Sequence, residues 1–231
     1  MKWLTILALV LFIGSNPLIA QTRKSIRVKA GDDLAQAYSK HGFYRFPQFT
    51  KAILHFKNGS NKDGILFNYN ILSGNMQFIG PKGDTLDLNG AASIDSIVFP
   101  QTIFYNMDGF QELVARAGSL RLLKKPVIRM QAENIGAYGQ PNPTSSIINY
   151  TNYFSGTNVY NLSINQDVVI VETIQWSFMD NSFQPRKVGK ETLLQSLPPE
   201  KQAVATDYMK KNKVNFDKEK DLFNLMNELA R

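Results

Sequence analysis

The chain has no cysteine in its 231 residues. That absence excludes disulfides, thiolate metal centres and lipid attachment at a cysteine behind a leader, so stability must come from packing. Histidine is nearly as scarce, with only His41 and His55 present. Neither has a carboxylate at helical ligand spacing, and no HExxH or GxSxG stretch occurs. Histidine-based metal or nucleophile chemistry is therefore not expected, and no metal or other cofactor is implied. Past residue 20, no apolar run approaches the roughly 20 residues that a membrane-spanning helix needs. There is no low-complexity tract and no repeat beyond a hairpin rhythm.

What is present begins with an address. Lys2 precedes an apolar stretch over residues 3–13, followed by GSNP and by LIA ending at Ala20. That is the layout of a secretory signal with a small residue at the cut. The expected exported chain starts at Gln21 and is periplasmic or secreted, or peripherally associated with an outer membrane, but is not a lipoprotein. Losing Lys2 lowers the formal net charge from +7 to about +6, which favours anionic partners. The cations are scattered rather than striped along one element, so they read first as a solvated surface. An acidic glycan is a candidate partner on charge grounds, an envelope protein is another, and no nucleic acid is expected.

From residue 49 the pattern alternates. In FTKAILHFK, Thr50, Ala52, Leu54 and Phe56 share one face, and Lys51, Ile53, His55 and Lys57 share the other. Asn58-Gly59 closes that strand. GILFNYN places Ile65, Phe67 and Tyr69 together, Ser73-Gly74-Asn75 turns the chain, and Met76 and Phe78 follow in phase. GPKGDT over residues 80–85 spells half a phosphate loop, but strand pattern flanks it on both sides. A phosphate cradle needs a helix after it, so the stretch is read as a hairpin turn with Gly83 at positive φ. A calcium reading with Asp84 and Asp87 fails for want of oxygen ligands. SIDSIVF, TIFYNM, a turn at Asp108-Gly109, FQELVARA, SLRLL and PVIRMQ continue the strands, with Pro126 marking an edge or bend.

Residues 134–158 break the rhythm with Gly, Pro, Asn and Ser, among which stand Tyr138, Tyr150, Tyr153 and Phe154. Those rings are the candidate contact surface, suited to sugars or to a protein partner, or else they cap the core. Strand pattern resumes with VYNLSI and DVVIVETIQWSF, in which Glu172 falls in phase with Val168, Ile170, Ile174, Trp176 and Phe178. A carboxylate in that phase either pairs with a cation, for which Arg121 and Arg129 are candidates, or serves as a general acid of the glycosidase type. From residue 188 the period becomes helical. KETLLQSL forms a turn or short helix. PPEKQAVATDYMKKN opens on prolines and carries Val204 and Tyr208, and DKEKDLFNLMNELA has Asp217 as N-cap and Leu222, Leu225, Met226 and Leu229 as one stripe.

The expected fold is α+β, an antiparallel β-rich body with a C-terminal helical appendage. The body is a roll, barrel or sandwich of short hairpins. The boundaries are a signal over 1–20, a body over 21–182 and a helical tail over 183–231.

Two stretches, LFNYNILSGNMQFIGPKGDTLDL over residues 66–88 and the tail over 183–229, resemble a group of secreted proteins of unknown function from Bacteroidota-type bacteria. Together they cover about a third of the exported chain. The resemblance implies an envelope or exported location and carries no catalytic residue. It also implies that Asp84-Thr85-Leu86 and Asp95-Ser96-Ile97 look like O-glycosylation acceptors, with Thr85 and Ser96 as the modified residues. The expectation is thus an exported, non-enzymatic binding or structural module. A carboxylate-dependent glycan hydrolase centred on Glu172 and an electrostatic binder of acidic polymer are the alternatives.

Overall fold

The computed structural model describes residues 24–32, 37–38, 42–132, 134–135, 141–142, 147–148 and 167–231. Strands form where the sequence alternates: β1 (Lys24–Val28), β2 (Thr50–Phe56), β3 (Asn61–Asn70), β4 (Asn75–Ile79), β5 (Thr85–Asp87), β6 (Ile94–Val98), β7 (Ile103–Met107), β8 (Gly109–Ala117) and β9 (Leu120–Ala132). Three two-residue strands follow, β10 (Asn134–Ile135), β11 (Pro141–Asn142) and β12 (Ile147–Ile148), and then β13 (Val168–Met179) and β14 (Arg186–Lys187). The helices are α1 (Lys190–Ser196), α2 (Pro199–Asn212) and α3 (Glu219–Leu229). No described helix is long and apolar enough to cross a membrane.

All the pairings are antiparallel, in the order β1-β13-β9-β8-β7-β6-β2-β3-β4-β5, with β12 beside β9 and β14 beside β13. The turns are those the sequence marks. Gly59, Gly74, Gly83 and Gly109 all adopt positive φ. In GPKGDT, the Gly83 N–H donates to the Gly80 carbonyl and the Gly80 N–H to the Asp84 carbonyl, closing the β4–β5 hairpin. Gly64, at φ 78, lets β3 slip by one residue against β2, so the strand begins earlier than GILFNYN indicates.

The expected body is a roll, barrel or sandwich, and the described strands other than β10 and β11 form one curled antiparallel sheet. β4 and β8 lie five strand spacings apart, about 24 Å in a flat sheet. Their Cα atoms nevertheless come within 8 Å, without strand pairing between them. The curl wraps a core of Leu54, Phe67, Tyr69, Ile97 and Phe104, capped by Phe46 and Phe99. Across the remaining strands the same face carries two further patches. Tyr38 and Leu72 cover Ile128, Met130, Val168 and Ile170. The helices cover Leu120, Leu122, Trp176 and Phe178 with the stripe Leu222, Leu225, Met226 and Leu229. The tail thus shares a core with the sheet.

Four readings need correction. Val204 is exposed and Tyr208 only half-buried, and α2 instead buries Ala205 and Met209 one position on. Lys218, not Asp217, is the N-cap of α3, and no side chain caps that end. β14 falls inside the expected helical tail, so the helical part begins at Lys190. The irregular stretch over 134–158 contains β10, β11 and β12. Pro126 sits in an inner strand, but β9 is paired with β8 only through Lys124 and with β12 only from Met130. The missing N–H of Pro126 therefore faces a stretch without a described partner.

Candidate functional site

Register places one row of side chains across six strands: Leu54, Ile97, Phe104, Glu112, Lys124 and Trp176. Glu112 interrupts the apolar end of that row and is the carboxylate that sequence reasoning missed. Its side chain is 6% exposed and is gripped by Arg45, with Nε–Oε2 and Nη2–Oε1 both at 2.8 Å. Lys124 adds an Nζ–Oε2 contact at 3.3 Å. The hydrogen bond to Glu112 raises the Arg45 pKa above its ordinary value. Burial, and then the Glu112 charge, pushes the Tyr69 phenol up as well. Its hydroxyl is buried and has no hydrogen-bond partner among the described residues. Arg45 belongs to the segment before β2, so this ion pair bolts the two sides of the curl together. Both carboxylate oxygens are committed to cations, and Glu112 is read as structural.

Glu172 lies on the face expected for it, half-buried. Tyr38 donates its hydroxyl to Glu172 Oε2 at 3.3 Å, and burial followed by the Glu172 charge raises the Tyr38 pKa. Of the two suggested cations, Arg129 lines the same recess as Glu172. Arg121 does not, because it stands opposite Met179 at the far end of β13. That recess, of about 550 Å³, is also lined by Trp176, Lys187, Phe216 and Asp217. Asp167, at the other end of β13, accepts the Ala30 N–H at 2.9 Å.

A second recess, of about 560 Å³, lies on the outer face beside Phe183, with Lys57, Asp95, Met107, Asp108 and Gln184 among its walls. Phe183 is 43% exposed and sits at φ 56, a left-handed conformation that a bulky side chain seldom adopts. The Arg121 guanidinium stacks 5.1 Å from the Phe183 ring centre and 6.0 Å from that of Tyr105. Arg116 donates to the Tyr105 hydroxyl at 2.9 Å, and Arg121 to the Asp180 carbonyl at 3.2 Å. Asp180 in turn accepts the Ser182 N–H at 2.8 Å and holds Arg186 at 2.7 Å, and Arg186 reaches Ser196 on α1. The bonds from Ser182, and then the Arg186 charge, hold the Asp180 carboxyl below its ordinary range.

The remaining candidates separate. Thr85 is exposed at the start of β5. Ser96 is 6% exposed and donates its hydroxyl to Asp95 at 2.9 Å. Tyr138, Tyr150, Tyr153, Phe154 and His41 lie outside the described residues. His55 is half-buried on the outer face opposite Ser96 and Asn61. Asp87 accepts a hydrogen bond from the Gln77 amide at 2.6 Å. Among the described residues no cluster of three or more His, Asp or Glu could hold a metal ion.

Compared with protein families, with curated proteins and with solved structures, the chain matches none. A functional reading therefore rests on the two recesses. Phe183 carried a faint sequence signal, since SFQP places an aromatic residue between polar neighbours just before a proline. Its strain and its stacking on Arg121 depend on tertiary contacts no local pattern displays.

Proposed function

We propose that this chain is an exported, non-enzymatic binding module of the bacterial envelope, and that Phe183 and the recess beside it form the contact point. The observation that carries the reading is the left-handed backbone at an exposed aromatic residue. Such a conformation costs about 1–3 kcal/mol and persists where surrounding contacts impose it, commonly at ligand sites. Here the Arg121 stack and the Asp180–Arg186 tie impose it. One ring face next to Asp95, Asp108 and Lys57 suits a hydroxyl-rich ligand, with the ring stacking on a sugar and the carboxylates accepting its hydroxyls. An envelope glycan is the ligand class we assign to it. NMR titration of the exported chain with solubilised envelope oligosaccharides tests this, with shifts expected at Phe183, Asp95 and Asp108.

A carboxylate-dependent hydrolase has one observation in its favour: Asp217 lines the same recess as Glu172. Glycan cleavage by the exported chain that disappears in both Glu172→Gln and Asp217→Asn would replace the binding reading with that one.

A further inference from the structure

Along the chain the cations look scattered, but the sheet register gathers a set of them on one face. Arg121, Lys125 and Arg129 take every second outward position of β9, since Leu122, Ile128 and Met130 are buried on the inner face. On the same side, Arg116 of β8 stands opposite Arg121, and Lys187 of β14 stands opposite Ser177. Arg27 of β1 is exposed there too, opposite Val169. Among the described residues, no outward position of β1, β8, β9, β13 or β14 carries Asp or Glu. Residues 136–166 contain no charged side chain at all. None of Arg116, Arg121, Lys125, Arg129 and Lys187 forms an ion pair among the described residues. Arg116 donates to the Tyr105 hydroxyl, Arg121 to the Ser119 and Asp180 carbonyls, and Lys125 to the Asp108 carbonyl, all neutral oxygens. Glu172 and Asp217 share a recess with Arg129 and Lys187 but pair with neither.

We infer that this face binds an acidic polysaccharide, whose carboxylates lie along β9 from Arg121 to Arg129 while one sugar ring occupies the Phe183 recess. The sugar class rests on the glycan reading of that recess, whereas the cations are a separate set of residues with a test of their own. Continuity joins the two, because the Arg121 guanidinium stacks 5.1 Å from the Phe183 ring centre and so starts the line at the recess. Arg129, exposed at the other end, has its planar fork free for a two-point grip on a carboxylate. Spacing favours a sparsely charged chain. Four strand residues separate neighbouring cations by about 13 Å, whereas a single nucleic-acid strand carries a phosphate about every 3.4 Å. A bilayer fits less well, since among the described residues only Phe183 and Val204 are large exposed apolar side chains, and Val204 lies on α2. Five cations without a paired carboxylate attract a polyanion from a distance and are screened by salt.

The probe is an oligogalacturonate of defined length, with its methyl-esterified form as the uncharged counterpart. Each is titrated into the full exported chain by NMR and calorimetry over a series of salt concentrations. The acid should bind at least about fivefold more tightly than the ester at low salt, and added salt should erase the difference. Arg129→Gln with Lys187→Gln should weaken binding of the acid at least about threefold and leave the ester unaffected. Lys210→Gln with Lys220→Gln removes the same charge from exposed positions on α2 and α3 and should alter neither. Equal binding of acid and ester overturns the proposal. Equal losses in the two double variants overturn it as well, since net charge alone would then be felt. Tighter binding of single-stranded DNA or of phosphatidylglycerol vesicles than of the acid would name another class of partner and overturn it too. Shifts at Phe183 with the ester, and no gain from the acid, strike out the cationic face and keep the recess. A gain from the acid that Arg129→Gln with Lys187→Gln abolishes, with no shift at Phe183, keeps the face and strikes out the recess.

Discussion

Replacing Arg45 with alanine leaves Glu112 in the wall of the curl with only Lys124 for company. Two charge-assisted bonds at 2.8 Å disappear, and the carboxylate that loses them is 6% exposed. Removing one partner of a buried pair costs about 3–5 kcal/mol. Two features reduce that figure. Arg45 is itself 38% exposed, and the Lys124 ammonium remains 3.3 Å from Oε2. The expected loss is therefore about 2–3 kcal/mol, a large share of the 5–15 kcal/mol typical of a folded domain. Urea unfolding is the assay. Trp176 is one of two tryptophans, the other being Trp3 near the start of the chain, and it is buried in the same cross-sheet row, so its fluorescence reports the transition in a chain beginning at Gln21. The midpoint should fall with an unchanged denaturant slope. The double variant Arg45→Met, Glu112→Leu should recover to within about 1 kcal/mol of the parent, because two apolar side chains leave no charge stranded. A cost below about 0.5 kcal/mol for Arg45→Ala would show that the pair behaves as a surface bridge, and the bolt across the curl would have to be abandoned.

Three further outcomes follow from the same contacts. Burial raises both Tyr38 and Tyr69 above the ordinary 10.0, so their contribution is full below that pH and is lost as pH rises above it. Tyr69→Phe should flatten the fall in melting temperature above about pH 10, and an unchanged alkaline limb would contradict the burial argument. Asp180 is held below its ordinary 3.8, so its contribution is present above that value and lost as pH falls through the lowered one. Asp180→Asn should weaken the acid dependence below about pH 4 and loosen the Phe183 stack, seen as altered ring shifts in NMR. Leu225→Ala, at a fully buried position under α3, should cost about 2–5 kcal/mol in a single unfolding transition. A separate early transition for the helices would mean that the tail does not share the sheet's core.

The hairpins were legible because their signals are local. Asn58-Gly59, Gly83 and Gly109 sit where positive φ is needed, and alternation in FTKAILHFK assigns Ala52 and Leu54 to the core without knowledge of their neighbours. The stripe of α3 was equally plain, since four apolar residues at helical spacing define one face. α2 was not, because Val204 and Ala205 compete for the inward position and only docking on the sheet decides between them. Glu112 shows the other limit. FQELVARA buries Phe110, Gln111 and Glu112 in succession, and the face occupied by Glu112 emerges only when the β7–β8 register puts it opposite Phe104. Arg45, its partner, comes from a segment 67 residues earlier in the chain. Glu172 was placed on the correct face, but its hydroxyl donor Tyr38 comes from 134 residues away, beyond the reach of any spacing rule.

The proposed binding role depends on Phe183 more than on any other residue. Asn tolerates the left-handed backbone, so Phe183→Asn removes the ring while keeping the turn, and its stability should stay within about 1 kcal/mol of the parent. The most direct measurement is the affinity of that variant and of the parent for solubilised envelope oligosaccharides, determined side by side by NMR titration. The parent should bind with shifts centred on the recess, and the variant should bind at least about tenfold more weakly, the scale of one lost stacking contact. Equal affinity in the two chains, or shifts that avoid the recess, would contradict the account.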